Sequence, residues 1–144
     1  MKKVLLLLLF SLLLAGCVSK LEKEAISETY TTTDKVIEAI QQANKAKFKN
    51  YLFLDLREIP VEEYITGFKS TSPFELDDHL KGRKTFTFIM VLSDSSELTS
   101  ERVSYIESKG FINVKSIDIP VETLLNALRE AGLLYKESCP PGGC

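Results

Sequence analysis

The chain has 144 residues, 44% of them hydrophobic and 26% charged, with a formal net charge of −2. That balance fits one globular domain with a proper core and leaves no room for a second. It also argues against a basic nucleic-acid surface, so no nucleic-acid partner is expected.

The chain opens with MKKVLLLLLFSLLLAGC. Lys2 and Lys3 precede an apolar segment from Val4 to Leu14, and the small residues Ala15 and Gly16 follow. That is the order of a secretory signal, and the segment falls short of the roughly 20 residues a spanning helix needs. Leu14-Ala15-Gly16-Cys17 resembles the lipobox of bacterial lipoproteins. The resemblance implies that residues 1–16 are removed, that the Cys17 thiol carries a diacylglyceryl group, and that the new amino group is acylated as well. Two or three acyl chains fix a protein to a membrane where one holds it weakly, so membrane lipid bound through Cys17 is an expected partner. The alternative is a plain secretory signal with Cys17 free. Val18 and Ser19 follow with no Asp directly after the cysteine, which resembles the outer-membrane pattern of Gram-negative lipoproteins. In a Gram-positive cell the protein would sit on the outer face of the cell membrane. Without Lys2 and Lys3 the formal charge moves from −2 to −4. Residues 17–30 read as the lipidated cysteine and a polar tether, ahead of a folded domain at 31–136.

From Thr33, read as the N-cap, the residues Val36, Ile37, Ile40 and Ala43 recur at helical spacing and predict a helix over 33–46. YLFLDL at 51–56 is an almost continuous apolar run, which suits a strand buried on both faces. Pro60 fits the first turn of a short helix carrying Val61, Tyr64 and Ile65, closed by Gly67. Residues 68–75 have no clear period, LDDHL is a single helical turn, and KGRK a turn. TFTFIMVL at 85–92 is the strongest strand, being rich in aromatic and β-branched residues. A helix follows with Val103 and Ile106 on its apolar stripe and Gly110 at its end. FINVKSI makes a third strand, and Val121, Leu124, Leu125 and Leu128 give an amphipathic helix after Pro120. Alternating helices and strands imply an α/β fold, a parallel sheet with helices on both faces. Ligands of such sheets bind beyond the carboxyl ends of the strands, where Asp55 and Ser93 stand.

YLFLDLREIPVEEYITG at 51–67 resembles the opening signature of rhodanese domains, a buried strand ending in Leu-Asp-x-Arg-Glu and then Glu-Tyr and Gly. VSYIESKGFINVKSI at 103–117 resembles that family's later helix and strand, with Gly-Phe-x-Asn-Val at its core. The resemblance covers roughly residues 31–136 and implies the rhodanese-like fold. Counting back from Gly110 places Ser93 where active members carry the catalytic Cys, and Thr99 on the Ser that closes the loop. Those members take a sulfane sulfur onto the thiolate as a persulfide. A serine hydroxyl cannot carry one, and in SDSSELT the carboxylates Asp94 and Glu97 repel an arriving thiosulfate. The family's Gly-His-Ile-Pro-Gly becomes GFKST at 67–71, and its later Gly-Gly becomes Ile-Pro at 119–120. The resemblance therefore implies a degenerate site at Ser93, Asp94, Thr99, Asp55 and Arg57. In the family the Asp and Arg matching Asp55 and Arg57 mostly fix the loops around the site.

Ser93 as a nucleophile in its own right would need a base and an oxyanion hole, and Gly-x-Ser-x-Gly is absent. The lone histidine, His79, reads as a surface residue. Asp94 with Glu97 three residues later fits a reciprocal helix cap. Phosphatases of related fold need Cys followed six positions later by Arg, where this chain has Ser93 and Thr99. No metal site or cofactor is expected.

The tail at 137–144 ends in Cys-Pro-Pro-Gly-Gly-Cys. The turn-prone spacer and an oxidising compartment favour a disulfide between Cys139 and Cys144. The sharper alternative is that the tail supplies the thiol the domain lacks, as a redox pair or sulfur acceptor. Two readings follow: an inactive, membrane-anchored binding or scaffold module with a protein partner in the cell envelope, or a sulfurtransferase or thiol-disulfide exchange protein using Cys139 and Cys144.

Overall fold

In a computed structural model the protein is described over residues 26–58 and 61–136. The signal segment, Cys17, Pro60 and the tail with Cys139 and Cys144 lie outside the described residues. In chain order the elements are β1 (Glu28–Tyr30), α1 (Thr33–Lys45), β2 (Tyr51–Asp55), β3 (Tyr64–Ile65), β4 (Phe68–Ser70), a 3-10 turn (Pro73–Glu75), α2 (Leu76–Leu80), β5 (Phe88–Leu92), α3 (Ser96–Ser108), β6 (Val114–Ile117), α4 (Val121–Glu130) and β7 (Leu134–Tyr135). Five strands form a sheet in the order β1-β6-β5-β2-β4, and every neighbouring pair in it is parallel. No helix among the described residues is long and apolar enough to cross a membrane.

Successive side chains of a strand point to opposite faces, so the apolar runs of β2 and β5 feed two cores. Phe53, Met90 and Leu92 join Val36, Ile40, Leu124 and Leu128 under α1 and α4. Leu52, Leu54, Ile89 and Val91 join Leu76, Leu80, Val103 and Ile106 under α2 and α3. Each such fully buried aliphatic side chain contributes about 1.5–3 kcal/mol relative to exposure. The fold is α/β, a parallel sheet with helices on both faces, as the alternation of periods implies.

Three local expectations are corrected. The helix expected from Pro60 to Gly67 is instead the short strand β3, which pairs antiparallel with β7, Tyr64 opposite Tyr135 and Ile65 opposite Leu134. The two tyrosine rings stack with centroids 5.7 Å apart, and Ile65 enters the core under α1. A non-local partner, with Tyr135 lying 71 residues after Tyr64, decides the conformation and is invisible to local periodicity. Gly67 still marks the end of the segment, but as a turn residue with φ +81°.

The segment read as tether also contributes to the sheet. Ile26 N donates to Ile112 O at 2.7 Å, and Glu28–Tyr30 pair with Lys115–Ile117 of β6. Lys115 is buried and donates from Nζ to Ile26 O at 2.9 Å, with Glu28 Oε2 at 3.8 Å. Thirdly, the strands expected over 85–92 and 111–117 begin later, at Phe88 and Val114. Thr85 and Phe86 belong to a turn closed by Thr87 N donating to Lys84 O.

Candidate functional site

The carboxyl ends of β2 and β5 are held side by side, because Leu56 N donates to Leu92 O at 2.8 Å. On the other flank Thr71 N donates to Asp55 O at 3.0 Å. The segments 56–58, 71–73 and 93–95 and the first turns of α3 thereby enclose a cleft of about 280 Å³ whose wall includes Arg57, Thr71, Ser93, Asp94, Leu98 and Arg102.

Ser93 follows the last residue of β5, where the run of buried apolar side chains gives way to the loop. It is only 4% exposed, and its Oγ has no hydrogen-bond partner in the protein. A buried hydroxyl left unsatisfied costs about 1–3 kcal/mol, so Ser93 Oγ adds no stability through a bond within the protein. Asp55 and Arg57 form a buried fork: Arg57 Nε donates to Asp55 Oδ1 at 2.9 Å and Nη2 to Oδ2 at 2.6 Å. Arg57 Nη2 also donates to Glu63 O at 3.1 Å, which binds the start of β3 to the same cluster. With both carboxylate oxygens occupied, this pair shapes the wall of the cleft.

Asp94 does not cap the following helix with Glu97. The cap is Ser95, whose Oγ accepts from Leu98 N at 3.3 Å, while Asp94 Oδ2 accepts from Glu58 N at 2.8 Å and bridges two loops. Thr99 is buried, and its Oγ1 donates to Ser95 O at 2.9 Å. The structure therefore gathers Ser93, Asp94, Asp55 and Arg57 at one end of the sheet, with Thr99 behind them on α3.

His79 lies outside the cleft wall and is half-buried, not freely solvated. Its Nε2 is 2.9 Å from Thr71 Oγ1, which also donates to Glu75 Oε2 at 3.1 Å. The Ser72 backbone N–H and then the Thr71 hydroxyl hold the Glu75 carboxyl below the ordinary carboxylate range. On the far side of β3 the Arg129 guanidinium does the same to Glu63, with Nη2 to Oε2 at 2.6 Å. With His79 committed to Thr71, the Ser-His arrangement of a hydrolase is not assembled. Among the described residues no three His, Cys, Asp or Glu side chains converge as a metal site would require. Thr71, Ser72 and Arg102 are wall residues the sequence did not single out. The GFKST stretch pointed at the first of them only as a departure from the rhodanese pattern.

No protein-family model and no curated protein matches the chain. Solved structures do. A crystal structure of the Alr3790 protein from Anabaena sp. superposes with a TM-score of 0.53 at 19% identity, over 69% of this chain and 78% of that one. The solution structure of the rhodanese-like domain of the same protein gives 0.52 at 21% identity, over 75% and 83%. A Rhodopseudomonas palustris CGA009 protein, RPA3614, described as of unknown function and a possible tyrosine phosphatase, gives 0.50 at 15% identity, over 79% and 84%. At such identities the likeness speaks for the backbone and not for the chemistry. Its parallel five-stranded sheet, the helices on both faces and these neighbours together give the chain a rhodanese-like fold.

Proposed function

We propose that the protein is a lipid-anchored, rhodanese-like module of the cell envelope, without sulfur-transfer catalysis of its own, that offers the cleft beside Ser93 to a protein partner. The observation that carries this reading is the buried Ser93 hydroxyl at the end of β5. An oxygen there cannot form a persulfide, and the domain at 31–136 has no cysteine that could replace it. Asp94 beside it and Glu97 one turn on add negative charge where an anionic donor would arrive. Phosphate-ester chemistry is disfavoured on the same residues, since it needs a thiolate where Ser93 stands and an arginine where Thr99 is tied to Ser95. Anchoring rests on the lipobox at Leu14 to Cys17.

A specific observation also favours the second reading, exchange through Cys139 and Cys144. The chain runs along β7 to Tyr135, opposite Tyr64, and Arg57 of the cleft bonds the neighbouring Glu63 carbonyl. Cys139 lies three residues past Lys136, an extended reach of about 10 Å.

Thiosulfate-to-cyanide sulfur transfer and disulfide reduction by the full chain and its Cys139→Ser variant separate the two. No turnover in either form supports the binding module. Turnover that disappears in Cys139→Ser establishes exchange and sinks the first reading. Mass spectrometry of the native protein tests the anchor, which fails if Cys17 carries no acyl mass.

A further inference from the structure

The end of the sheet opposite the cleft carries the other sign of charge. Because the strands are parallel, segments leading into β2 and β5 share one edge, and segments leaving them share the other. Lys45-Ala46-Lys47-Phe48-Lys49-Asn50 precedes β2, and Lys81-Gly82-Arg83-Lys84-Thr85-Phe86-Thr87 precedes β5; neither contains an acidic residue. Phe88 N donates to Asn50 O at 2.9 Å and fastens the two segments together. At the cleft end Glu58, Glu62, Glu63, Asp94, Asp118 and Glu122 stand against Arg57 and Arg102. A chain of modest net charge is thus strongly polarised along its strands.

The basic edge is built to present its charges. Lys47, Phe48 and Asn50 all have positive φ, and the Phe48 ring turns inward, edge-on to Phe53 with centroids 5.8 Å apart. Lys47 and Lys49 stay exposed on either side of it. Among the described residues none of Lys45, Lys47, Lys49, Lys81, Arg83 and Lys84 forms an ion pair. Asp77 and Asp78 share a surface hollow with Lys81 and Arg83, and Asp77 Oδ1 accepts from Tyr105 Oη at 2.8 Å and lies 3.4 Å from Lys109 Nζ. Beside the cations Phe86 is 52% exposed, with Lys84 Nζ 5.5 Å from its ring centroid.

The first described residue joins the domain at this same edge. Ile26 N donates to Ile112 O, and Ile112 N donates to Thr85 O at 3.0 Å, next to Phe86. Cys17 precedes Ile26 by nine residues, a span of at most about 30 Å. A lipid held at Cys17 keeps the basic edge within that distance of the bilayer.

We propose that this edge is a docking surface for an anionic phospholipid membrane, with Phe86 entering the interface and the neighbouring exposed lysines meeting headgroup phosphates. An exposed aromatic beside lysines that form no ion pair among the described residues is the composition such an interface selects. The cleft then points away from the lipid, towards the aqueous compartment. The orientation rests on the anchoring at Cys17 proposed above; the preference of the edge for anionic lipid does not.

The chain contains no Trp, so Phe86→Trp and Phe74→Trp each introduce a single fluorophore, the second beside Pro73 of the cleft at a position 96% exposed. The full chain, its acylation determined by mass, is placed on vesicles of brominated phosphatidylcholine with or without phosphatidylglycerol. Emission of the Phe86→Trp variant is expected to be quenched several-fold more with phosphatidylglycerol present, an excess lost on raising salt from about 0.05 to about 0.5 M. Combining it with Lys81→Glu and Lys84→Glu abolishes the excess, and the Phe74→Trp variant is not quenched on either vesicle. Equal quenching on both lipids, or stronger quenching of Phe74→Trp, overturns the proposal. A chain without acyl mass defeats the anchor alone. The lipid comparison still decides the surface, and no excess with phosphatidylglycerol overturns it.

Discussion

Arg57 closes on Asp55 through both carboxylate oxygens, and neither residue is more than 7% exposed. Buried charges of this kind cost desolvation that the pairing only offsets, so removing one partner is worse than removing both. Arg57→Ala or Asp55→Ala is expected to lower unfolding free energy by about 3–5 kcal/mol in urea titrations. Asp55→Leu combined with Arg57→Met should cost far less than either single change. A combined loss equal to the sum of the two single losses would show that the pairing contributes little.

Ser93 Oγ leads to the opposite expectation. With no partner in the protein, the hydroxyl contributes a penalty, and Ser93→Ala should leave the melting temperature unchanged or raise it by a few degrees. A clear fall would mean that the hydroxyl is bonded. Ser93→Cys restores a thiol but leaves Asp94 in place, so thiosulfate turnover should stay at background in the standard cyanide assay.

Gly67 and Phe48 form a second sensitive contact. Gly67 has φ +81°, and a Cβ built there overlaps the Phe48 ring. Gly67→Ala combines left-handed backbone strain with displacement of an aromatic that packs on Phe53, and should cost about 1–3 kcal/mol in thermal or chemical unfolding. Gly132→Ala has the same strain at φ +71° but open space around it, and should cost less.

Acid should weaken the fold through carboxylates that are hydrogen-bonded in it. Glu63, held by Arg129, and Glu75, held by the Ser72 N–H, both titrate below the ordinary range. A depressed folded value means that the unfolded chain binds more protons. Their stabilising contribution is therefore complete above about pH 4.3 and lost as pH falls through the folded values. Melting temperature is expected to decline below that pH, and Glu63→Gln should make the decline shallower. An unchanged acid limb in Glu63→Gln would remove this pair from the account.

Much of the fold was legible because β2, β5, α1 and α4 carry their own periodicity, and Asp55 and Ser93 fall where such strands end. What was not legible depends on partners far along the chain. Glu28-Thr29-Tyr30 has no apolar run, and becomes a strand only because β6 and Lys115 receive it. Tyr64 and Ile65 suit a helix as well as a strand until Tyr135 and Leu134 stand opposite. The cap showed the same limit on a smaller scale. Asp94 and Ser95 are both good capping residues, and Asp94 is drawn away by a backbone N–H at Glu58.

The pairing of β1 with β6 also sets the order in which the molecule can assemble. Glu28 must wait for Lys115, and Tyr64 for Tyr135, so both closing contacts depend on residues made long after their partners. Contacts so distant in sequence are the slow step of folding, since chain entropy is lost before they form. A nascent chain therefore lacks the means to finish this sheet early.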